Sequence, residues 1–342
     1  MISPSLQEAI QEFQTAQRKE NIPRGTIQQY RHVLNRLQAR YPGRKFAGIH
    51  TQELNDFLYG PAGILVGKKP KTGTCYRSAL NSFFAYGYMR GWSRSPLVAP
   101  RKVFRSRQAR TRHDGLPTRL PESALLLMLE RAEHPMLRAM IAVCIGTALR
   151  VSDVRKLRCS DVDMDTGELY VWVMKTGRFD AMPITLDLED ELRRYLLWYT
   201  RETGQTLKDE GFLFPGWSRR NHSGTGYVYY VPDPVRQCSY SWASERLKVV
   251  FEASGVHVEK GEAWHVIRRS VARIYFDRRR TEVSHDHALR ETSAFLGHLN
   301  QETTERYLGL QAEREARNRN LRGRRFIGVA PDATVTPIRR PV

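Results

Sequence analysis

Four side chains in the last third of the sequence have the types and the spacing that chemistry on a phosphate group requires. His265 and Arg268 are three residues apart, so on a helix they share one face and their side chains can converge on one anion. His298 and Tyr307 follow further along the chain. Two imidazoles, a guanidinium and a phenol supply proton transfer, charge neutralisation and a nucleophile, so the pattern indicates phosphate chemistry.

The residues around His298 predict how the backbone holds it. Leu296-Gly297 is typical of a helix that ends on a glycine with positive φ, which places His298 on the sharp turn after the helix, pointing inward. Asn300 is a good N-cap residue, and acidic residues follow it. A second short helix is therefore predicted after the turn, and Tyr307 lies on that helix.

Arg150 and Asp153 lie just after an apolar segment. The segment from Met136 to Leu149 predicts a buried helix, which Arg150 follows. A buried arginine must be paired or bound to an anion. Arg150 therefore either forms an ordinary ion pair with Asp153 or binds an anion while that acid braces it. From this segment alone, the ion pair is the simpler interpretation.

A β-hairpin is predicted downstream, with a lysine in its turn. Residues 168–173 and 181–186 alternate as strands do, and Lys175 lies between them in the tight sequence Lys-Thr-Gly. An exposed lysine in a turn is usually only solvated, so Lys175 by itself indicates no chemistry. The segment from Gly216 to Ser239 is rich in Gly, Tyr, Ser and Arg, and it predicts a long loop without an assigned role.

Taken together, these residues resemble a known family. The spacing from His298 to Tyr307 is similar to the end of the catalytic domain of the tyrosine recombinases, or phage integrases. The Arg150 segment resembles the first arginine box of that family, and Lys175 resembles its catalytic lysine, which a mobile hairpin carries. The resemblance covers about residues 120 to 310, and the residues that carry it are Arg150, Lys175, His265, Arg268, His298 and Tyr307.

The resemblance implies DNA cleavage through a covalent link to tyrosine. Tyr307 would be the nucleophile, giving a 3′-phosphotyrosyl link and a free 5′-hydroxyl. A phenol is mostly protonated at neutral pH and needs a base, for which His265 is the candidate. Lys175 is the candidate acid for the leaving oxygen. Because the covalent link preserves the bond energy, no ATP, metal ion or other cofactor is expected.

The remaining residues of the set would handle charge. Charge builds up on the phosphate oxygens in the transition state, so fixed cations and hydrogen-bond donors are the main requirement. Arg150, held by Asp153, and Arg268 can each donate two hydrogen bonds to the non-bridging oxygens. His298 adds a further hydrogen bond.

The sequence predicts two domains. Four amphipathic helices near the N-terminus predict a compact bundle, which resembles the core-binding domain of the same family. The expected organisation is a helical DNA-binding domain at 1–98, a basic linker at 99–120, a catalytic domain at 121–310 and, at 311–342, a tail suited to docking on a neighbouring protomer. The expected fold is mainly α with a small β-hairpin or sheet in an α+β catalytic domain, and the two domains close round duplex DNA as a C-shaped clamp.

The charge of the chain favours a polyanionic partner, of which nucleic acid is the first candidate. The sequence has 55 Lys and Arg against 36 Asp and Glu, for a net charge of +19. Residues 1–115 contribute 20 basic and 6 acidic side chains, most of the basic ones arginine. A solvated surface that keeps the protein soluble is the alternative explanation. The linker bases expected to follow the phosphate backbone are Arg101, Lys102, Arg105, Arg107, Arg110 and Arg112.

Other classes of site are disfavoured. The four cysteines are widely separated, without metal-ligand spacing, and are predicted to be reduced and structural. His285-Asp286-His287 lacks a third ligand and predicts a solvated loop rather than a metal site. The N-terminus lacks a signal region, and no apolar run approaches the roughly 20 residues that a membrane span needs. The predicted location is the cytoplasm, in association with the nucleoid.

The sequence therefore predicts a site-specific recombinase for short paired sites in double-stranded DNA. It would integrate, excise or resolve a mobile element as a tetramer on two duplexes, with or without accessory proteins. A type IB topoisomerase shares the nucleophile and the cations, and is the first alternative. A catalytically inactive DNA-binding protein is the second, although every residue of the set is present.

Overall fold

The computed structural model describes residues 3–68, 70–101, 118–173, 177–221, 228–259 and 262–310, together with residues 313, 317, 318 and 320. Within these residues the chain forms twelve α-helices and five short β-strands, which confirms the predicted fold class of a mainly helical protein with small sheets. The chain divides into two compact units, Met1–Arg112 and His113–Val342. The domain boundaries at residues 98, 120 and 310, and the clamp, stay predictions.

The first unit is a bundle of four helices, and each of the four predicted helices is confirmed. A capping box begins the first helix, because the Ser5 hydroxyl accepts the Glu8 amide at 3.3 Å while the Glu8 carboxylate accepts the Ser5 amide at 2.9 Å. The helices are α1 (Leu6–Lys19), α2 (Arg24–Arg40), α3 (Thr51–Tyr59) and α4 (Pro70–Met89).

Aromatic rings fill the centre of this unit. Phe46 lies on the segment between α2 and α3, and its ring centroid is 5.2 Å from that of Phe83 and 5.3 Å from that of Trp92. The ring can approach α4 this closely because residue 87 is a glycine. A Cβ atom at Gly87 would lie 2.1 Å from Phe46 Cζ, which is far inside van der Waals contact.

We expect Gly87→Ala to destabilise the first unit by about 1–3 kcal/mol, because the Phe46 ring must leave its place in the core. Gly25→Ala is the matched control: Gly25 also lies in a helix, α2, but has no neighbouring atom within 4 Å of an added Cβ. Thermal unfolding followed by circular dichroism measures both variants. An unfolding midpoint for Gly87→Ala equal to that of Gly25→Ala would contradict the packing described here.

The second unit is built around one buried helix. Apart from Arg138, helix α6 is apolar, and it is buried over most of its length, as expected for a helix surrounded by others. Helices α5, α8, α9 and α10 pack against it. The eight helices of this unit are α5 (Glu122–Arg131), α6 (Pro135–Thr147), α7 (Val151–Val154), α8 (Leu186–Thr203), α9 (Tyr240–Ala253), α10 (Ala263–Glu282), α11 (His285–Phe295) and α12 (Gln301–Tyr307).

A three-stranded antiparallel sheet in the order β1-β2-β3 contains the predicted hairpin. Its strands are β1 (Val162–Asp163), β2 (Glu168–Val173) and β3 (Arg178–Pro183). The first strand of the hairpin was predicted correctly, but the range 181–186 for its partner was wrong. Pairing begins earlier, at Val173 with Arg178, and ends at Pro183, because the backbone then turns into α8.

The predicted loop over 216–239 was also wrong, because this segment forms a second hairpin. Strand β4 (Pro215–Asn221) pairs antiparallel with β5 (Val228–Gln237), with Trp217 opposite Pro232. Prolines argue against a strand because they lack a backbone donor. In a two-stranded ribbon both strands are edges, so prolines in β5 can be tolerated where their nitrogens face away from the partner strand.

The segment His285-Asp286-His287 was predicted as a solvated loop, and this prediction was wrong. These residues form the first turn of α11, because the Ser284 hydroxyl caps the helix by accepting the His287 amide at 3.3 Å. The His287 ring lies 3.2 Å from the Glu291 carboxylate one turn later. Among the described residues, no helix is both long enough and apolar enough to cross a membrane.

Candidate active site

The guanidinium of Arg268 is the buried centre of the candidate site. Arg268 lies on α10 with 3% of its surface exposed. It donates hydrogen bonds to the carbonyl of Ala148 and, at 2.7 Å, to the carbonyl of Leu296. Ala148 and Leu296 are the C-caps of α6 and α11, where helix carbonyls carry partial negative charge. One cation therefore joins α10 to the ends of two other helices.

Arg150 lies close to this buried cation. It occupies the N-cap position of α7, and Ala148, two residues earlier, has a left-handed backbone with φ of +50° that ends α6. Burial, and after it the nearby charge of Arg150, lowers the pKa of Arg268 to about 10. Two positive charges held together in a partly buried place repel each other, and a bound anion would relieve this repulsion.

The predicted brace between Arg150 and Asp153 is present but long. Asp153 is buried, and its carboxylate lies 4.0 Å from the Arg150 guanidinium. A close fork between arginine and carboxylate has two hydrogen bonds at about 2.7–2.9 Å. At this distance the ion pair with Asp153 does not explain the position of Arg150 by itself. The Arg150 guanidinium can therefore also bind an anion from outside the protein.

The Tyr307 hydroxyl is buried among arginines. Tyr307 lies on α12, as predicted, and is its last residue; its buried hydroxyl contacts the Arg268 side chain without forming a hydrogen bond of good geometry to any described residue. Burial raises the pKa of the phenol, and the charges of Arg268, Arg269 and Arg150 offset part of that rise. The Arg269 guanidinium lies 5.9 Å from the centre of the Tyr307 ring. A buried hydroxyl without a well-formed hydrogen bond is uncommon, which makes Tyr307 a candidate to act on a ligand.

His298 contacts Tyr307 from the turn between α11 and α12. Gly297 has φ of +60°, as predicted, and the His298 amide donates to the Ser293 carbonyl at 2.9 Å. The imidazole Nδ1 lies 3.0 Å from the Thr304 hydroxyl. The His298 and Tyr307 rings meet edge to face, with centroids 5.5 Å apart. The predicted inward direction of His298 is therefore confirmed.

The structure does not gather every residue of the predicted site. His265 lies in the first turn of α10 with an exposed side chain, whereas Arg268 on the same helix is buried, so the two are not held at one buried point. Arg101 is exposed in the first unit. The residues that lie outside the described part of the chain are Lys102, Arg105, Arg107, Arg110, Arg112 and Lys175.

Sequence reasoning missed a network that holds the backbone just after Tyr307. The Leu308 carbonyl accepts a hydrogen bond from Arg119 and a longer one, at 3.5 Å, from Arg273. The Glu313 carboxylate binds Arg119 at 2.8 Å and Arg273 at 2.6 Å. Arg119 and Glu313 are 194 residues apart in the chain, so no local pattern could have paired them.

Arg269 and Thr304 were also missed, although each has a local signal. Arg269 directly follows Arg268, and Thr304 precedes Tyr307 by three residues on one helix, so both lie near residues already chosen. Their roles here are electrostatic and orienting: Arg269 lies over the Tyr307 ring, and Thr304 contacts the His298 imidazole.

We expect Glu313→Gln to loosen the end of α12, because it removes the charge that both arginines bind. Hydrogen exchange of the Leu308 amide, which donates to Thr304, should accelerate about tenfold at neutral pH. Glu302→Gln is the control, since Glu302 forms an exposed pair with Arg306 on the same helix and should change little. Equal acceleration in the two variants would contradict the role of the network.

The same network gives a pH dependence. Burial tends to raise the pKa of Glu313, but Arg119 and Arg273 outweigh it, so the pKa is lowered overall. A lowered pKa means that the stabilisation is complete at neutral pH and is lost as the pH falls through that value. The difference in exchange between wild type and Glu313→Gln should therefore shrink in acid.

The fold is that of known DNA recombinases. XerH recombinase in a post-cleavage complex with a palindromic difH substrate superposes with a TM-score of 0.63 at 18% identity, over 93% of this chain and 84% of that one. A lambda integrase tetramer bound to a Holliday junction gives 0.61 at 20% identity, over 89% and 77%. The Tn1549 transposon integrase with a circular intermediate DNA gives 0.61 at 14% identity, over 93% and 100%.

The sequence match then gives the family. Residues 119–314, more than half of the chain, match the model of the phage integrase family. The chain belongs to this family, the tyrosine recombinases, and DNA binding and DNA recombination are the activities of its class. The comparison with curated proteins gives no match.

Proposed function

We propose that this chain is a site-specific recombinase that cuts and rejoins DNA strands through Tyr307. The observation that supports this most strongly is the buried hydroxyl of Tyr307, which contacts Arg268 and lies among the positive charges of Arg150, Arg268 and Arg269. A phosphodiester supplies the negative charge that these cations lack. The phenol oxygen is then next to the phosphorus atom that it attacks.

In the proposed reaction one bond to phosphorus replaces another. The Tyr307 oxygen forms a bond to phosphorus as the bond from phosphorus to the 5′-oxygen breaks, leaving a 3′-phosphotyrosyl link. The phenol proton passes to a base, for which His265 stays the candidate although its side chain is exposed, and the leaving oxygen takes a proton from Lys175. Because the link keeps the energy of the broken bond, the free 5′-hydroxyl of another strand can reverse the step and join the strands.

Arg268 combines a structural role with the proposed binding of phosphate. Its two hydrogen bonds to Ala148 and Leu296 use two of its five N–H donors. The remaining donors can bind a phosphate oxygen without releasing either helix end. Arg150 would hold the other non-bridging oxygen, and His298, oriented by Thr304, would donate a third hydrogen bond.

We infer that the active assembly is a tetramer on two duplexes in the cytoplasm. Whether accessory proteins take part depends on the recombination site. Dimers on a core site and tetramers on a Holliday junction are known for lambda integrase, whose fold this chain shares. The basic N-terminal residues and the linker would add sequence-independent contacts to the phosphate backbone. Short paired sites of a mobile element are the proposed substrates.

Covalent trapping tests the nucleophile. Wild type and Tyr307→Phe are each mixed with short DNA fragments from the mobile element and from its host. The mixtures are then denatured, and the DNA that stays linked to protein is sequenced. On a short fragment the freed 5′ end diffuses away, so rejoining cannot hide the adduct. We expect adducts at one sequence in wild type and none in Tyr307→Phe. Tyr275→Phe is the control. Tyr275 lies on α10, half-buried against Phe295 of α11, and this variant should keep full activity. Adducts that persist in Tyr307→Phe would disprove the assignment.

Arg150→Ala separates catalysis from stability. We expect cleavage to fall about 10²- to 10³-fold, as for the loss of one group that stabilises transition-state charge, with DNA affinity nearly unchanged. The melting temperature should change little, because the variant relieves the repulsion on buried Arg268 but also removes the cation beside buried Asp153. Arg193→Ala, an exposed arginine of α8, is the control for loss of charge. A fall in cleavage that merely follows a fall in stability would contradict the proposal.

A further inference from the structure

A cavity of about 600 Å³ lies where the β4–β5 hairpin meets α9, and it contains none of the candidate active-site residues. Its volume is within the range of about 300–1,000 Å³ for small-molecule sites. The residues that decide its chemistry are Trp217, Tyr230, Arg236, Gln237, Trp242 and Arg246. His134, the N-cap residue of α6, also lines it.

Aromatic rings form fixed walls around this cavity. The His134 ring meets Trp242 edge to face at 5.0 Å between centroids and Trp217 at 6.2 Å. His134 Nδ1 accepts the Met136 amide at 3.2 Å, which holds the imidazole in one orientation and puts its proton on Nε2. Tyr230 is 63% exposed at the rim. Such a set of indoles offers flat surfaces on which a planar ligand can stack.

Two buried polar atoms of residues that line the cavity lack a partner within the described part of the chain. Trp217 Nε1, a donor, and Gln237 Oε1, an acceptor, are both buried without a hydrogen bond to any described residue. Buried polar atoms are nearly always paired, so an unpaired donor and an unpaired acceptor on residues that line one cavity indicate a ligand that offers both and that reaches them when these side chains rotate. A nucleobase has an acceptor and a donor on one flat ring.

The charge of the cavity selects an anion. Arg246 lies over the Trp242 ring with its guanidinium carbon 5.9 Å from the centroid, and Arg236 lies 3.5 Å from the Asp233 carboxylate, so at least one full positive charge remains. The C-terminal segment 311–342 has eight arginines and three acidic residues. Its surplus of positive charge disfavours that segment as the occupant, whereas a phosphate group satisfies the arginines.

We propose that this cavity is a nucleotide site, in which a base stacks on Trp242 and hydrogen-bonds to Trp217 and Gln237 while the phosphate binds Arg246. The nucleotide is either an unpaired nucleotide of a DNA strand or a free nucleotide. A base within an intact duplex cannot present its face to Trp242, so a DNA occupant must be single-stranded or extruded. The site is independent of the cleavage proposed for Tyr307.

The test compares two kinds of single-stranded, ten-nucleotide probe of equal charge: probes with bases, which are oligothymidine and oligodeoxyadenosine, and an abasic probe. Fluorescence anisotropy gives the affinity of each probe for the full chain at one salt concentration. We expect Trp242→Ala to weaken binding of the probes with bases about tenfold and that of the abasic probe less than about twofold. Trp242→Phe, which keeps a stacking face, should restore most of the loss.

Two further variants keep the test decisive. Tyr230→Ala changes only an exposed rim side chain, so it should fold even if Trp242→Ala does not, and it should also lower affinity selectively for the probes with bases. Arg246→Gln should weaken binding of both kinds of probe, whereas Arg193→Gln on α8 should weaken neither. A loss equal for abasic and base-containing probes, or no loss in Trp242→Ala and Tyr230→Ala, overturns the proposal.

Thymidine and deoxyadenosine monophosphates distinguish the two sources. If either competes with the oligonucleotide below millimolar concentration in wild type but not in Trp242→Ala, the site takes free nucleotides. If neither competes and the base-dependent binding of the oligonucleotide still depends on Trp242, the site takes nucleotides of a strand. Because the readout is binding and requires no cleavage, this result stays separate from that of the cleavage assay.

Discussion

One buried guanidinium connects the parts of the structure on which the candidate site depends. Arg268 joins α10 to the C-terminal ends of α6 and α11 through the carbonyls of Ala148 and Leu296. Those two ends are the points from which the chain continues to Arg150 and to His298. The contact that satisfies a buried charge therefore also sets the positions of two residues of the site, and a change at Arg268 cannot affect stability alone.

The site concentrates positive charge where folding alone would not favour it. Arg150, Arg268 and Arg269 all act on the phenol of Tyr307, and burial disfavours both the charged guanidinium of Arg268 and the phenolate. Such an arrangement costs stability in the absence of an anion, and a bound phosphodiester would offset that cost. Binding the substrate would then stabilise the same arrangement that promotes the proposed attack by Tyr307.

Local signals in the sequence predicted much of the site, and long-range contacts account for what was missed. The turn at Gly297, the Asn300 cap and the helix that ends at Tyr307 each follow from neighbouring residues, and all were confirmed. The β4–β5 hairpin was missed because its prolines mask the strand pattern. The hydrogen bond from Arg268 to Ala148 and the Arg119–Glu313 pair depend on tertiary packing between residues more than a hundred positions apart, which no spacing rule contains.

A crystal structure of Tyr307→Phe bound to its DNA site would test the proposed arrangement of the site directly, since a variant without the proposed nucleophile is expected to bind DNA and leave it uncut. We expect the scissile phosphate to lie within about 3 Å of both Arg150 and Arg268, with the phenyl ring at position 307 beside the phosphorus and Arg268 still bonded to Ala148 and Leu296. A phosphate held elsewhere, with Arg150 closed onto Asp153 in a short ion pair, would contradict it.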